Sequence, residues 1–143
     1  MKLSENFDLS EFTESQVALR RGIDNRPSSS IIANLKITAE GLEQVRALLN
    51  APIIISSGYR CPALNFAVGG SMKSAHITGF AADFIAPKFG TPKQIVQKIQ
   101  QSGIKYDQLI HEGTWVHISF APTMRQQTLN ATFNNGKANY STF

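Results

Sequence analysis

Ser56 to Asp83, reading SSGYRCPALNFAVGGSMKSAHITGFAAD, and His111 to Ser119, reading HEGTWVHIS, between them carry all three histidines of the chain. His76 is followed seven residues on by Asp83, and His117 sits in an apolar, strand-like run with Trp115 and Val116. Two imidazoles and one carboxylate make a three-ligand zinc set that leaves a fourth position open for water, which is what separates a catalytic zinc site from a structural one. A histidine and an aspartate seven apart would by themselves be a turn histidine and a turn carboxylate. Alone, that reading would win; a third ligand in His117 is what sets a metal against it.

Working outward, Pro52 to Ser56 is a short β-branched run that reads as a buried strand delivering Gly58, Tyr59 and Arg60 to the rim of the site. Pro62 suits the first turn of a short helix through Ala67, which Gly69-Gly70 breaks. Ala81 to Ile85 reads as a strand carrying Asp83. Thr91-Pro92 is an N-cap with proline at the first helical position, and Ile95, Val96 and Ile99 form the apolar face of a helix closed by Gly103.

Asp107 to Glu112 and Trp115 to Phe120 are strand-like runs separated by Gly113-Thr114, the length of a two-residue hairpin loop. With those two residues in the turn, Glu112 faces Trp115 and Ile110 faces His117, so these four share one face and His111 lies on the other with Val116. A one-residue shift of the turn would bring His111 inward and turn Glu112 away. In this register Glu112 is the carboxylate placed to act as a base near His117. Trp115 is either a wall of the cleft or part of the core, and Ser74 either orients the site or satisfies its own loop.

Upstream, Phe7, Leu9 and Phe12 of an extended lead-in (about 1–27) are available for docking, and Ser10 or Thr13 can cap a short helix through Leu19 that stops near Gly22. Ile31, Leu35, Leu42, Val45 and Leu49 mark the longest amphipathic helix, ending before Pro52. Beyond Pro122 the chain turns polar, and about 122–143 is expected to wrap the surface or fray.

Ser74, His76, Gly79, Ala81 and Asp83, with Ser-Gly-Tyr-Arg upstream and Trp-Val-His downstream, resemble the zinc DD-peptidases of the M15 type. That group includes D-alanyl-D-alanine carboxypeptidases, phage endolysins that cut stem peptides and, more distantly, hedgehog domains. The resemblance spans roughly residues 1 to 125. It implies an α+β fold with a small, mainly antiparallel sheet and packed helices, and one Zn2+ on His76, Asp83 and His117. It also implies hydrolysis of peptide bonds in peptidoglycan stem peptides or cross-links. Arg60 stands where the group has an arginine that binds a substrate carboxylate or polarises the scissile carbonyl, a task suited to a planar two-pronged cation. Tyr59, Ser74 and Trp115 would then lie at the substrate or behind the ligands. In several members the acidic catalytic residue stands three positions before the last ligand; here that position is Thr114 and the carboxylate is Glu112. Thr114 keeps open a second reading, a zinc-bearing binding or structural module without turnover, as hedgehog domains illustrate.

The remaining composition sets boundaries. A chain of 143 residues with 42% hydrophobic and 17% charged residues is expected to form one domain, monomeric, with a core that needs no staples. The single cysteine, Cys61, excludes an internal disulfide and reads as a packing residue. No signal peptide or membrane span is visible, which fits a phage-encoded enzyme acting from host cytoplasm or virion, or a bacterial wall enzyme stripped of its signal. The net charge of +4 suits an anionic partner such as cell-wall polymer, but no basic stripe with interleaved aromatics points to nucleic acid.

Overall fold

The computed structural model describes residues 1–143. Eleven elements follow in order: α1 (Leu9–Thr13), α2 (Gln16–Arg21), α3 (Ser29–Leu49), β1 (Ile54–Ser57), α4 (Pro62–Ala67), β2 (Ala81–Ile85), α5 (Pro92–Gln100), β3 (Gln108–His111), β4 (Val116–Ser119), β5 (Gln127–Asn134) and β6 (Lys137–Thr142). The strands form one six-stranded sheet in the order β1-β2-β4-β3-β5-β6. All pairings are antiparallel except β3 with β5. This is the expected α+β architecture.

The apolar alternation along the central strands decides which face is covered. Ala82 and Phe84 of β2, Val116 and Ile118 of β4 and Leu109 of β3 join Leu35, Leu42 and Val45 of α3 and Ile95, Val96 and Ile99 of α5 in one buried core. Each large aliphatic side chain removed from water there contributes about 1.5–3 kcal/mol. The residues between them, Asp83, His117 and Ile110, therefore stand on the opposite face in one cross-strand row. Thus helix packing on one side leaves the other free for chemistry.

Ser28 caps α3 through Ile31 N, and Asn50 in a left-handed conformation ends it. Thr91 caps α5 in a box with Gln94. The lead-in carries two helices where one was expected. Asp8 and Glu11 form a capping box on α1, and Ser15 caps α2 afresh after Glu14 turns extended. Phe7 and Phe12 dock as expected, both fully buried and edge-to-face.

Two expectations fail. The run at 52–56 is not a buried strand: β1 is the edge of the sheet, Ile54 is half exposed, and only Ile53 before it is in the core. The tail neither frays nor simply wraps the surface. Residues 127–142 form a hairpin that extends the sheet beyond β3, turning at Asn135-Gly136 with φ of 52° and 78°. Positive φ at both central residues is what a tight right-twisted hairpin needs, and Asn-Gly supplies it.

Candidate metal centre

Asp83 and His117 are direct cross-strand partners on β2 and β4. His76 arrives from the loop between α4 and β2, and its Nδ1 lies 2.6 Å from the Gly58 carbonyl. That short contact requires Nδ1–H to donate, which leaves Nε2 as a lone pair in the neutral ring. Nε2 faces Asp83 Oδ1 at 3.2 Å, and His117 Nδ1 faces the same oxygen at 2.9 Å. The three ligand atoms lie within 4.8 Å of one another. Lone pairs and a carboxylate oxygen converging on one buried point repel unless a proton or a cation sits among them. The donor set therefore fits a metal ion such as zinc.

The electrostatics agree. Burial favours the neutral form of His76 and outweighs the pull of Asp83, so its pKa falls below the usual 6.5. Burial also opposes charge on His117, but the Asp83 hydrogen bond and charge win and its pKa rises. Burial would lift the Asp83 carboxyl, yet the two imidazoles packed against it hold it below the ordinary carboxylate range. Of the two imidazoles, His117 is thus the one that holds a proton more readily.

The loop that brings His76 is fixed by backbone and amide groups. A β-bulge at Ser56 shifts the register of β1 on β2 and turns the chain toward the site. Gly58 follows because a Cβ there would lie 2.6 Å from both Cα and O of Phe12. Asn25 then pins the next residues: its Nδ2 donates to the carbonyls of Thr13 and Tyr59, and its Oδ1 accepts from Cys61 N. Ser74 Oγ accepts from His76 N at 3.2 Å, so it shapes the ligand's own turn. Arg60 N donates to the His76 carbonyl.

The Arg60 guanidinium is committed at all three nitrogens. Nε donates to Ser57 Oγ, Nη1 to Asn65 Oδ1 and Nη2 to Asp83 Oδ2 at 3.1, 3.3 and 3.5 Å. It buttresses the oxygen of Asp83 that the imidazoles do not face. Tyr59 is 8% exposed and packs with the core, beside a cleft of about 710 Å³ that runs along the free edge of β1 between α2 and α4. That cleft meets the site at Ser57, Gly58 and Arg60.

The β3–β4 hairpin has the anticipated register: Ile110 pairs with His117, His111 with Val116, and Glu112 N donates to Trp115 O. Glu112 is thereby on the metal face, close enough that the charges of His117 and Asp83 act on it, while burial lifts its pKa above 4.5. Thr114 is exposed at the hairpin tip. His111 lies on the other face with its ring edge-on to Phe143. Trp115 stands beside Glu112, its Nε1 buried and without an acceptor in hydrogen-bonding geometry, and its ring 6.2 Å from Phe133.

Sequence reasoning missed Asn25, Asn65, Ser57 and the Gly58 carbonyl as supports of this site, and Phe133 as a neighbour of Trp115. In the sequence Asn25 stands in the turn-type run Asp24-Asn25-Arg26-Pro27, which accounts for it without a site. A buried asparagine carries no local signal of the three backbone partners it will hold.

His76, Asp83 and His117 form a buried group that could hold a metal ion on the face of the α+β sheet opposite the core helices. Residues 5–119, about four-fifths of the chain, match the family described as Peptidase M15. The chain belongs to the M15 peptidase family, whose members are peptidases and as a group metal-dependent. No curated protein matches the sequence. No helix is long and apolar enough to cross a membrane.

Proposed function

We propose that this protein is a zinc-dependent peptidase that hydrolyses peptide bonds in peptidoglycan stem peptides or cross-links. The observation that carries the reading is the convergence of His76 Nε2, Asp83 Oδ1 and His117 Nδ1 on one buried point, with Glu112 on the same face. When bound, zinc there supplies Lewis acidity, lowering the pKa of a water toward ~7 and polarising the scissile carbonyl. Glu112 takes the proton from the attacking water and returns it to the leaving amine, a role that suits a carboxyl whose pKa is lifted by burial. Arg60 keeps Asp83 in place, and its terminal nitrogens, which carry two hydrogens each, retain N–H groups for a substrate carbonyl or carboxylate. Gly58 and Ser74 hold His76 in the tautomer and turn the metal requires.

The test is mass spectrometry of purified peptidoglycan fragments after incubation with the protein, with chelator, and with chelator followed by zinc. New products that vanish with chelator and return with zinc are expected, and their masses identify the bond. Absence of products across wall types from a zinc-loaded preparation would point instead to a zinc-bearing module without turnover.

A further inference from the structure

The face that bears the metal ligands does not stop at β3. The cross-strand row Asp83, His117, Ile110 continues to Leu129 and Thr142, and the adjacent row runs from Trp115 and Glu112 to Ala131 and Tyr140. Ala131, the residue between them in that row, is small and buried, and the charge of Glu112 reaches the Tyr140 hydroxyl. Next along β5, Phe133 lies against the Trp115 ring. Phe133 and Tyr140 are both more than half exposed, an unusual place for two large rings on a hairpin whose other face is polar. On the far side of the triad every Arg60 nitrogen already has a protein partner. On the hairpin side the buried Trp115 indole N–H has only the Glu112 carboxylate beside it.

We propose that the β5–β6 hairpin, which lies outside the family-matched residues 5–119, is the second wall of the substrate cleft. Tyr140 donates its phenolic hydrogen to a backbone carbonyl of the bound peptide. Phe133 and Trp115 pack against the apolar atoms of the adjoining residue. The bound segment thus spans the triad from Arg60 to Tyr140, and the hairpin sets which peptides are held well enough to be cut. Partial burial and then the negative charges of Glu112 and Asp83 raise the pKa of the Tyr140 hydroxyl, so it remains a donor throughout the working range. This inference rests on the peptidase reading above and deepens it by assigning the peptide subsite. Tyr140 is a substrate-positioning residue, and its effect belongs in binding.

The experiment uses the full zinc-loaded chain. First, KM and kcat are measured on the peptidoglycan fragment that the wild-type protein cuts, for Y140F and F133A. Second, the Kd of the same uncut peptide is measured on E112Q and on E112Q carrying either change. One lost hydrogen bond should raise KM and Kd about 3- to 10-fold for Y140F, and F133A should raise them at least as much, with kcat and zinc content near wild type. Y140F keeps the ring, so a fold defect does not obscure its result. KM and Kd within 2-fold of the parent for both variants would overturn the proposal while the peptidase reading stands. Loss of affinity for glycan chains stripped of peptide, with peptide affinity unchanged, would overturn the assignment to peptide. No hydrolysis by the wild-type chain would remove the peptidase reading and this inference with it.

Discussion

Asp83 on β2 and Asp107 just before β3 are both buried aspartates, and they are satisfied in opposite ways. Asp107 accepts from Thr123 Oγ1, Arg125 N and Arg125 Nε on one oxygen and from Arg125 Nη2 on the other, all at 2.8–2.9 Å. Every partner is an unambiguous donor, so the carboxylate is complete within the chain. Asp83 has two imidazole nitrogens on one oxygen, of which His76 Nε2 is a lone pair in the tautomer fixed by Gly58, and a long 3.5 Å contact to Arg60 on the other. Asp83 is left incomplete until a cation arrives. The carboxylate that has donors only is complete without a ligand, and the one facing an imidazole lone pair sits in a group that could hold a metal ion.

The comparison breaks most sharply by substitution. Asp83→Asn should remove high-affinity metal binding and with it all metal-dependent activity, while the melting temperature of the metal-free protein changes less than in Asp107→Asn. Next in size, Glu112→Gln should lower kcat by about 10²- to 10⁴-fold with the metal retained. Its acid limb in the wild-type pH profile should lie above pH 4.5, because burial raises the pKa of the base and activity is lost as pH falls through it. A metal titration across pH sharpens the Asp83 side. His117 holds its proton to a pH above 6.5 in the metal-free state, and protonated imidazole cannot ligate, so apparent affinity should fall as pH drops through that range.

Asp107→Asn should cost about 1–3 kcal/mol of stability, read by denaturant unfolding, with metal stoichiometry unchanged. The smallest effect is its pH dependence. The Arg125 hydrogen bonds hold Asp107 at about 2, below its ordinary 3.8. Because the folded value is the lower one, the stabilisation is complete above pH 3.8 and is lost as pH falls toward about 2. Arg125 is half exposed, which limits the effect to about 1–2 kcal/mol, and Asp107→Asn should flatten that part of the curve.

The same contrast separates what the sequence revealed from what it hid. The His76-Asp83-His117 group was legible because a metal set calls for particular residue types, and the Gly113-Thr114 turn fixed which face Glu112 would take. The core helix Ser29–Leu49 was legible from its apolar spacing and its Ser28 cap. Asp107 was not, since its partners Thr123 and Arg125 lie 16 and 18 residues away and no spacing rule links them. Nor was the C-terminal hairpin, although its signal was present. Leu129, Ala131 and Phe133 alternate with polar residues up to Asn135-Gly136, and Ala138 and Tyr140 alternate after it. The polar composition of the segment masked that period. The edge position of β1 had no local signal at all, because strand order is set by which partners the rest of the chain supplies.

The measurement that tests this account most directly is zinc stoichiometry and affinity at neutral pH for the wild-type chain, Asp83→Asn and Asp107→Asn side by side. One tightly held zinc per chain in the wild type and in Asp107→Asn, and none in Asp83→Asn, is the result predicted. A wild-type chain that takes up no zinc, or an Asp83→Asn chain that holds it as tightly as the parent, would contradict the assignment of Asp83 as the incomplete carboxylate around which the site is built.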